Sequence, residues 1–462
     1  MSEKIFNDPI HGYIRIHPLC VKIIDTPQFQ RLRSIKQLGG TYFVFPGAAH
    51  NRFEHSLGFV ILTNEVCHLA GKVTSTLRER QPVLGITDND VLCVQIAGLC
   101  HDLGQGPFSR MFENKFLPMV GETFTHEKLS DLMFDRLINE NGLMTEFTKN
   151  GLDEQDMTFI REQITGPPKT ESGGWPYQGR SEDKGFLYEI VANKRNGIDV
   201  DKWDYFARDC LLLGINNSFD HKRCMENVRV LPTVESQLCF AEKEVKNLRD
   251  MFKTRYELHE KAYKHRVGDI IETMIAEAMC LANDIIMITG RKGDKFKLSE
   301  TINDREAYEQ LTDSIFEKIL QSKKPGLEKS KDILRKVQKR KLYKFVGEMN
   351  PKRSTKTDSE LKEYIEEEKE AYYQRLLEKD ISWKKDDFII NCVSLDYGME
   401  DENPLNHVCF YTNNDVPIRC SKDEVHTLLP ESPRKELRFF CKREDETSFK
   451  QAEAALDNLR LQ

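Results

Sequence analysis

Val91-Leu92-Cys93-Val94-Gln95-Ile96-Ala97-Gly98-Leu99-Cys100-His101-Asp102-Leu103-Gly104-Gln105-Gly106-Pro107 decides how this chain is read. The run up to Cys100 is long and apolar enough for a buried helix, and the Gly-x-Gly-Pro that follows stops it. A helix buried on most sides should not finish on an adjacent imidazole and carboxylate without a reason. Burying an unpaired charge is costly, and a metal ion is one of the few good partners for both groups. A His-Asp dipeptide alone equally suits an exposed helix end that hydrogen-bonds locally, so further ligands have to come from elsewhere in the chain.

Upstream, Asn51-Arg52-Phe53-Glu54-His55-Ser56-Leu57-Gly58 places Arg52 and His55 three apart, on one face of a helix. That pairing suits a site where an ion and an anion sit side by side, with arginine on phosphate oxygens and histidine on the metal. Downstream, Asp201, Tyr205 and Asp209 recur every four residues and form one helical stripe. Such a stripe is either an exposed face or the wall of a polar pocket. Together His55, His101, Asp102 and Asp201 supply two imidazoles and two carboxylates.

At 462 residues the chain can bury a large core and form more than one lobe. No apolar stretch approaches the ~18–20 residues of a membrane span, and the first residues lack the apolar centre of a signal peptide. The twelve cysteines form no Cys-x-x-Cys, which argues against a cysteine zinc site and for a reducing, intracellular setting. The net charge of -7 argues against generic coating of nucleic acid. A basic stretch at 323–353 (Arg335, Lys336, Lys339, Arg340, Lys341, Lys344) and an acidic one at 360–370 read as solvated helix faces, or, for the basic one, as a single-stranded nucleic-acid surface. The spacing predicts a mostly α fold. A helical region at 1–290 includes an apolar helix around 59–69 and another around Ile270 and Met274. A helical connector follows at 291–350, then a smaller α+β lobe at 351–462. That lobe is expected to hold strands near 388–393, 407–411 and 438–441 and a closing helix near 447–460. A strand at 41–45, a turn-rich loop at 165–187 and a flexible link at 350–358 complete the expectation.

The order His…His-Asp…Asp resembles the HD-domain phosphohydrolases. The flanking text, including Asn7-Asp8-Pro9-Ile10-His11-Gly12, Gln28-Phe29-Gln30-Arg31-Leu32-Arg33 and the block around Asp201, is similar to the animal branch of SAM-and-HD-domain deoxynucleoside triphosphate triphosphohydrolases, essentially from Lys4 onward. The resemblance implies hydrolysis of a dNTP to deoxynucleoside and inorganic triphosphate. It assigns His55, His101, Asp102 and Asp201 to one transition metal, Zn, Fe or Mn, with Mg accompanying bound nucleotides. Arg52, Lys202 and Arg255 are implied on the triphosphate. Gln37 and Asp209 are implied on the sugar 3'-hydroxyl, Leu38 and Tyr205 against the sugar 2' carbon, Tyr263 near the base, and Asp199 among the substrate contacts. The family is activated by GTP or dGTP and by dNTPs that join four subunits. Lys4, Asp25, Gln30, Arg33 and Arg419 match its guanine site. Asn7, Val44, Phe45, Arg223, Lys243, Asn247, His265 and Arg266 match its second nucleotide site. A homotetramer in the nucleus, or the cytoplasm, serving dNTP catabolism and antiviral defence is further implied, with no membrane partner. The family's SAM domain is expected to be absent from this chain.

Two active-site histidines of the family are Gln105 and Arg110 here, while His126 is retained with Glu113 available as its carboxylate partner. Glutamine cannot act as a general acid near pH 7, and arginine is effectively never a proton shuttle. Lys264 replaces a glutamine beside Tyr263, Leu211 and Leu212 replace two histidines, and one arginine of the second nucleotide site has no counterpart near Ala241. A catalytically weak, nucleotide-sensing relative is therefore the alternative to an active hydrolase.

Overall fold

The computed structural model describes residues 4–58, 69–167, 174–352, 358–399, 402–429 and 434–461. The helix expected at 59–69 and the link at 350–358 fall mostly outside these residues, as does the middle of the loop at 165–187. The chain is mostly helical, as expected, and no described helix is long and apolar enough to cross a membrane.

The deciding stretch is a helix, Asp88–Cys100, buried from Asp90 to Cys100. Thr87 starts it: its hydroxyl accepts the Asp90 N–H at 3.1 Å and Asp90 accepts the Thr87 N–H at 2.9 Å, a reciprocal cap. Asp90 is buried because Arg180 and Lys184 reach it at 2.7 and 2.5 Å from the 174–187 segment. The helices Leu69–Arg80 and Glu154–Thr165 pack against it. The Val200–Leu213 helix carries the expected stripe. Asp199 caps its start and Gly214, at φ 66°, closes its end.

The strand expected at 41–45 is a 3₁₀ turn, Gly39–Phe43. Its aromatic and β-branched residues fit any half-buried surface, not only a sheet. Here Phe43 packs on Phe316 at 5.8 Å instead of a neighbouring strand. Gly39 has φ 48° and no room for a Cβ beside the Phe108 carbonyl. Gly40 donates its N–H to Glu272 at 3.1 Å. Burial pushes the Glu272 carboxyl up to about 7, from an ordinary 4.5. The folded state thus holds this proton more tightly than the unfolded one, so the contribution is complete below about 4.5 and is lost as pH rises through about 7. Glu272→Gln should raise the Tm at pH 8, by up to about 3 kcal/mol of stability, and change it little at pH 5. Thermal unfolding at both pH values checks this, and equal shifts would contradict it.

The sheets cross the expected divisions of the chain. Lys344–Met349, Arg434–Cys441 and Phe388–Leu395 form one antiparallel sheet, so a strand from the expected connector belongs to it. Its core, with Tyr372, Trp383, Phe439 and Leu456, is closed by the helices Asp358–Lys379 and Glu446–Arg460. Cys409–Tyr411 leaves that lobe and lies parallel to Leu238–Ala241, in a four-stranded sheet with Val228–Val230 and Pro417–Ile418. The C-terminal region is therefore tied into the catalytic one by backbone hydrogen bonds.

Candidate metal centre and active-site cavity

His101 ends the deciding helix. Its Nδ1 lies 2.6 Å from the Gly98 carbonyl oxygen and must donate to it, so Nε2 turns toward the centre. His55, on the Arg52–Gly58 helix, likewise has Nδ1 2.7 Å from Asp204 Oδ2 and presents Nε2. His55 Nε2 lies 3.1 Å from Asp201 Oδ1 and 3.8 Å from Asp102 Oδ2, and His101 Nε2 lies 3.5 Å from Asp102 Oδ2 and 3.8 Å from Asp201 Oδ1. Ligand atoms about 2.1 Å from a tetrahedral ion stand ~3.4 Å apart, so this spacing fits a metal. His55, His101 and Asp102 together can hold one.

The electrostatics agree. Burial opposes charge on His55, but Asp201 and Asp204 outweigh it and raise the imidazole to about 9. Burial likewise opposes ionisation of Asp102, yet Arg52, His101, His55 and His126 hold its carboxyl well below the usual range. Asp201 is held low against the same burial penalty by His55 and His101. A centre that favours both carboxylates and a proton on His55 also favours a bound cation.

Two of the expected site residues are buried against Asp102. Gln105 is buried and donates its amide to Asp102 Oδ1 at 2.9 Å, so it braces a candidate ligand. Its position follows from the tight turn, where Gly104 and Gly106 leave no room for a Cβ against Ser130 and Phe112. Arg52 is also buried, bonded to Asp102 at 2.6 Å, Ser109 Oγ at 2.9 Å and the Gln37 carbonyl at 3.3 Å.

The centre opens into a cavity of about 750 Å³ whose walls include His101, Arg110, His126, Asp201, Lys202 and Gly398. Phe108 and Ser109 precede Arg110 with φ of 56° and 55°, two consecutive left-handed residues that are costly outside glycine. The Phe108 N–H bonded to Asp313 at 2.6 Å and the Ser109 hydroxyl donating to the Lys36 carbonyl at 2.6 Å hold this turn. It delivers an exposed Arg110 to the cavity. His126 opens the His126–Glu140 helix with Nδ1 2.8 Å from Glu113 Oε2, as the sequence suggests. Lys202 Nζ sits 2.9 Å from Asp199, whose carboxylate also caps the helix, so Asp199 both lines the cavity and holds the lysine.

At the other end of the stripe, Asp209 accepts from His50 Nε2 at 2.6 Å and from the Tyr263 hydroxyl at 2.5 Å. Tyr205 lies between His55 and Tyr263, with ring centroids 6.3 and 6.4 Å away, and burial pushes its phenol up to about 12. Gln37 Oε1 is buried without a hydrogen-bond partner among the described residues, and Leu38 beside it is half-buried. Arg255 is held by Asp396, through the backbone carbonyl and the carboxylate at 3.1 Å.

The expected activator residues gather in separate groups. Lys4 and Asp25 pair at 2.6 Å, and Arg33 donates to Gln30 at 2.8 Å; Arg419 is exposed after Pro417–Ile418. Arg223 bonds Glu244 and the Lys243 carbonyl, and Asn247 bonds Glu244 as well. Phe45 meets the His265 ring at 5.9 Å beside Arg266, and Val44 caps the 3₁₀ turn. Asn7 faces Tyr13 across the N-terminal hairpin.

Sequence reasoning missed Asp204, His50 and Asp396. Asp204 is three residues past Asp201 and four before Arg208, a helical spacing that sets all three side by side and was readable. Asp396 lies far from Arg255 in the chain and carried no such signal.

The HD domain model matches residues 52–209, a span that begins at Arg52, ends at Asp209 and encloses all four candidate ligands. The chain is 51% identical to human deoxynucleoside triphosphate triphosphohydrolase SAMHD1 over 97% of its own length and 72% of the relative's. The figures are 49%, 97% and 73% for the Xenopus laevis protein of that name. For the SAMHD1 homolog of Dictyostelium discoideum they are 38%, 96% and 78%. Identity of that order over nearly the whole chain, with the HD match, makes this protein a member of the SAMHD1 family of HD-domain proteins.

Proposed function

We propose that the protein hydrolyses deoxynucleoside triphosphates to deoxynucleoside and inorganic triphosphate. The observation that carries this reading is the convergence of His55, His101, Asp102 and Asp201 at the end of a cavity walled by Lys202, Arg110 and His126. A Zn, Fe or Mn ion on the four ligands would supply Lewis-acid polarisation of the α-phosphate and an activated water. Lys202 and Arg110 offset charge on the triphosphate, and Arg255 joins them once Asp396 yields it. Gln37 offers its unpaired oxygen to the sugar 3'-hydroxyl beside Asp209. Leu38 and Tyr205 crowd the 2' position, which selects deoxyribose. His126, oriented by Glu113, handles the proton that Gln105 and Arg110 cannot. Product analysis with Mn(II) across the four dNTPs and GTP tests the reading: triphosphate from dNTPs is expected, and pyrophosphate, orthophosphate or no product would defeat it.

The same reading includes activation by GTP or dGTP at Lys4, Asp25, Gln30, Arg33 and Arg419, with a second dNTP, accompanied by Mg, joining subunits into a tetramer through the remaining groups. Residence in the nucleus or cytoplasm goes with it. A weakly active, nucleotide-sensing protein is the second reading, and Gln105 locked onto Asp102 favours it. Arg110→His separates the two, since a large gain in kcat is expected only if turnover is limited by the missing histidine. In the basic stretch at 323–353, Arg335, Lys339 and Lys341 are exposed, while three other cations are engaged within the protein. Lys336 pairs with Glu444 at 3.0 Å, Arg340 with the Phe43 carbonyl at 2.6 Å, and Lys344 with the Glu444 carbonyl at 2.9 Å.

The Asp396 carboxylate occupies the guanidinium that a terminal phosphate would use. Asp396→Asn is expected to lower KM for dNTPs several-fold in steady-state assays. A raised KM would mean instead that Asp396 holds Arg255 in its productive place.

A further inference from the structure

Behind the metal centre lies a buried polar assembly that the proposed chemistry does not use. Asp204 is fully buried, and its two oxygens accept four hydrogen bonds. Oδ2 receives His55 Nδ1 at 2.7 Å and Arg208 Nε at 2.9 Å; Oδ1 receives His11 Nε2 at 2.6 Å and Arg208 Nη2 at 2.9 Å. A carboxylate has about four lone-pair sites, so this one is saturated. A Cβ on Gly58 would overlap the Asp204 carboxylate, so the Arg52–Gly58 helix approaches it as closely as a backbone can.

The assembly continues into the N-terminal hairpin, formed by Lys4–Asp8 and Gly12–Ile16. Arg208 Nη1 donates to Asp8 Oδ2 at 2.9 Å, and Asp8 Oδ1 accepts the N–H groups of Ile10 and His11 at 2.8 and 3.0 Å. Asp8 thus shapes the hairpin turn while binding the arginine that neutralises Asp204, and the turn delivers His11 to the same carboxylate.

We propose that the Asp8–His11 turn is a positioning element of the metal centre, acting through Asp204 on His55. The inference rests on the reading of His55, His101, Asp102 and Asp201 as metal ligands. A histidine ligand must expose one ring nitrogen to the ion and keep its proton on the other. Asp204 fixes that tautomer for His55, and hydrogen-bond partners of this kind typically change metal affinity 10–100-fold when removed. His11 sets how strongly Asp204 draws on the His55 proton: without its N–H, one lone pair of a buried carboxylate loses its donor and the geometry that aims His55 relaxes.

The test is titration of the metal-stripped full chain with Mn(II), reading free Mn(II) by electron paramagnetic resonance, with far-UV circular dichroism confirming the fold. His11→Ala, one bond further out than Asp204, is expected to weaken Mn(II) binding by up to about 10-fold, and His11→Gln, whose amide can donate to Asp204, to restore most of it. A folded His11→Ala protein that binds Mn(II) as wild type does overturns the proposal, as does a glutamine variant that binds as weakly as alanine. Should His11→Ala fail to fold, ring ¹⁵N spectra of histidine-labelled wild type loaded with Zn(II) decide: His55 protonated on Nδ1 supports the proposal, and metal on Nδ1 sinks it. A protein whose Mn(II) affinity depends on His11 but which releases no triphosphate would defeat the hydrolase reading and leave this one standing.

Discussion

Asp201→Ala is expected to reduce triphosphate release from every dNTP to the level of a protein-free control. Asp201 Oδ1 lies 3.1 Å from His55 Nε2 and 3.8 Å from His101 Nε2, so its loss opens one side of the centre. It also removes the negative charge that offsets Lys202 and Arg110 on the cavity wall. Losing several kcal/mol of transition-state stabilisation corresponds to about 10³-fold or more in rate. The fold should survive, because Asp201 lies in the first turn of a helix that Asp199 caps and Trp203, Phe206 and Cys210 anchor. Released triphosphate measured beside circular dichroism would check both halves. Retention of a tenth of wild-type turnover would remove Asp201 from the ligand set.

His126→Gln is expected to lower kcat by ~10²–10⁴-fold while KM for the dNTP changes little. An imidazole can take and give a proton near neutral pH, which neither glutamine nor arginine does. The proposed function gives the proton transfer to His126 and its Glu113 partner. The amide of glutamine keeps a donor near Glu113, so the loss reports proton transfer more than packing. A pH–rate profile should lose one limb in the variant, and an unchanged profile would move the acid to another group. Glu113→Gln should give a smaller loss in the same direction.

How much of this was legible beforehand depends on the range of the interaction. The buried Asp88–Cys100 helix and the polar stripe of Val200–Leu213 follow from local periodicity. The four candidate ligands follow from residue chemistry and family resemblance, because few other arrangements suit two imidazoles and two carboxylates. The orientation of Gln105 was not legible. Whether it faced a phosphate or Asp102 depended on the tight Gly104–Gly106 turn packing on Ser130 and Phe112, a tertiary fact. The turn at 41–45 misled for a similar reason: aromatic and β-branched residues report half-burial, and the burying surface here is Phe316. Asp204 was readable from its spacing to Arg208, whereas its bond to His11 reaches from the HD span to the hairpin before it and is visible only in three dimensions.

The parallel pairing of Leu238–Ala241 with Cys409–Tyr411 has a consequence for synthesis. Parallel neighbours need a crossover, and here much of the chain separates them. At about 5–20 residues per second on the ribosome, the first strand waits on the order of ten seconds for its partner. Until then Leu238–Ala241 carries one open edge and a surface including Cys239 that Cys409 and Tyr411 later cover. An exposed strand edge is a template for the wrong neighbour. The nascent catalytic region should therefore be the stage at which this protein depends on chaperones, and fragments ending before Cys409 should aggregate where the full chain does not.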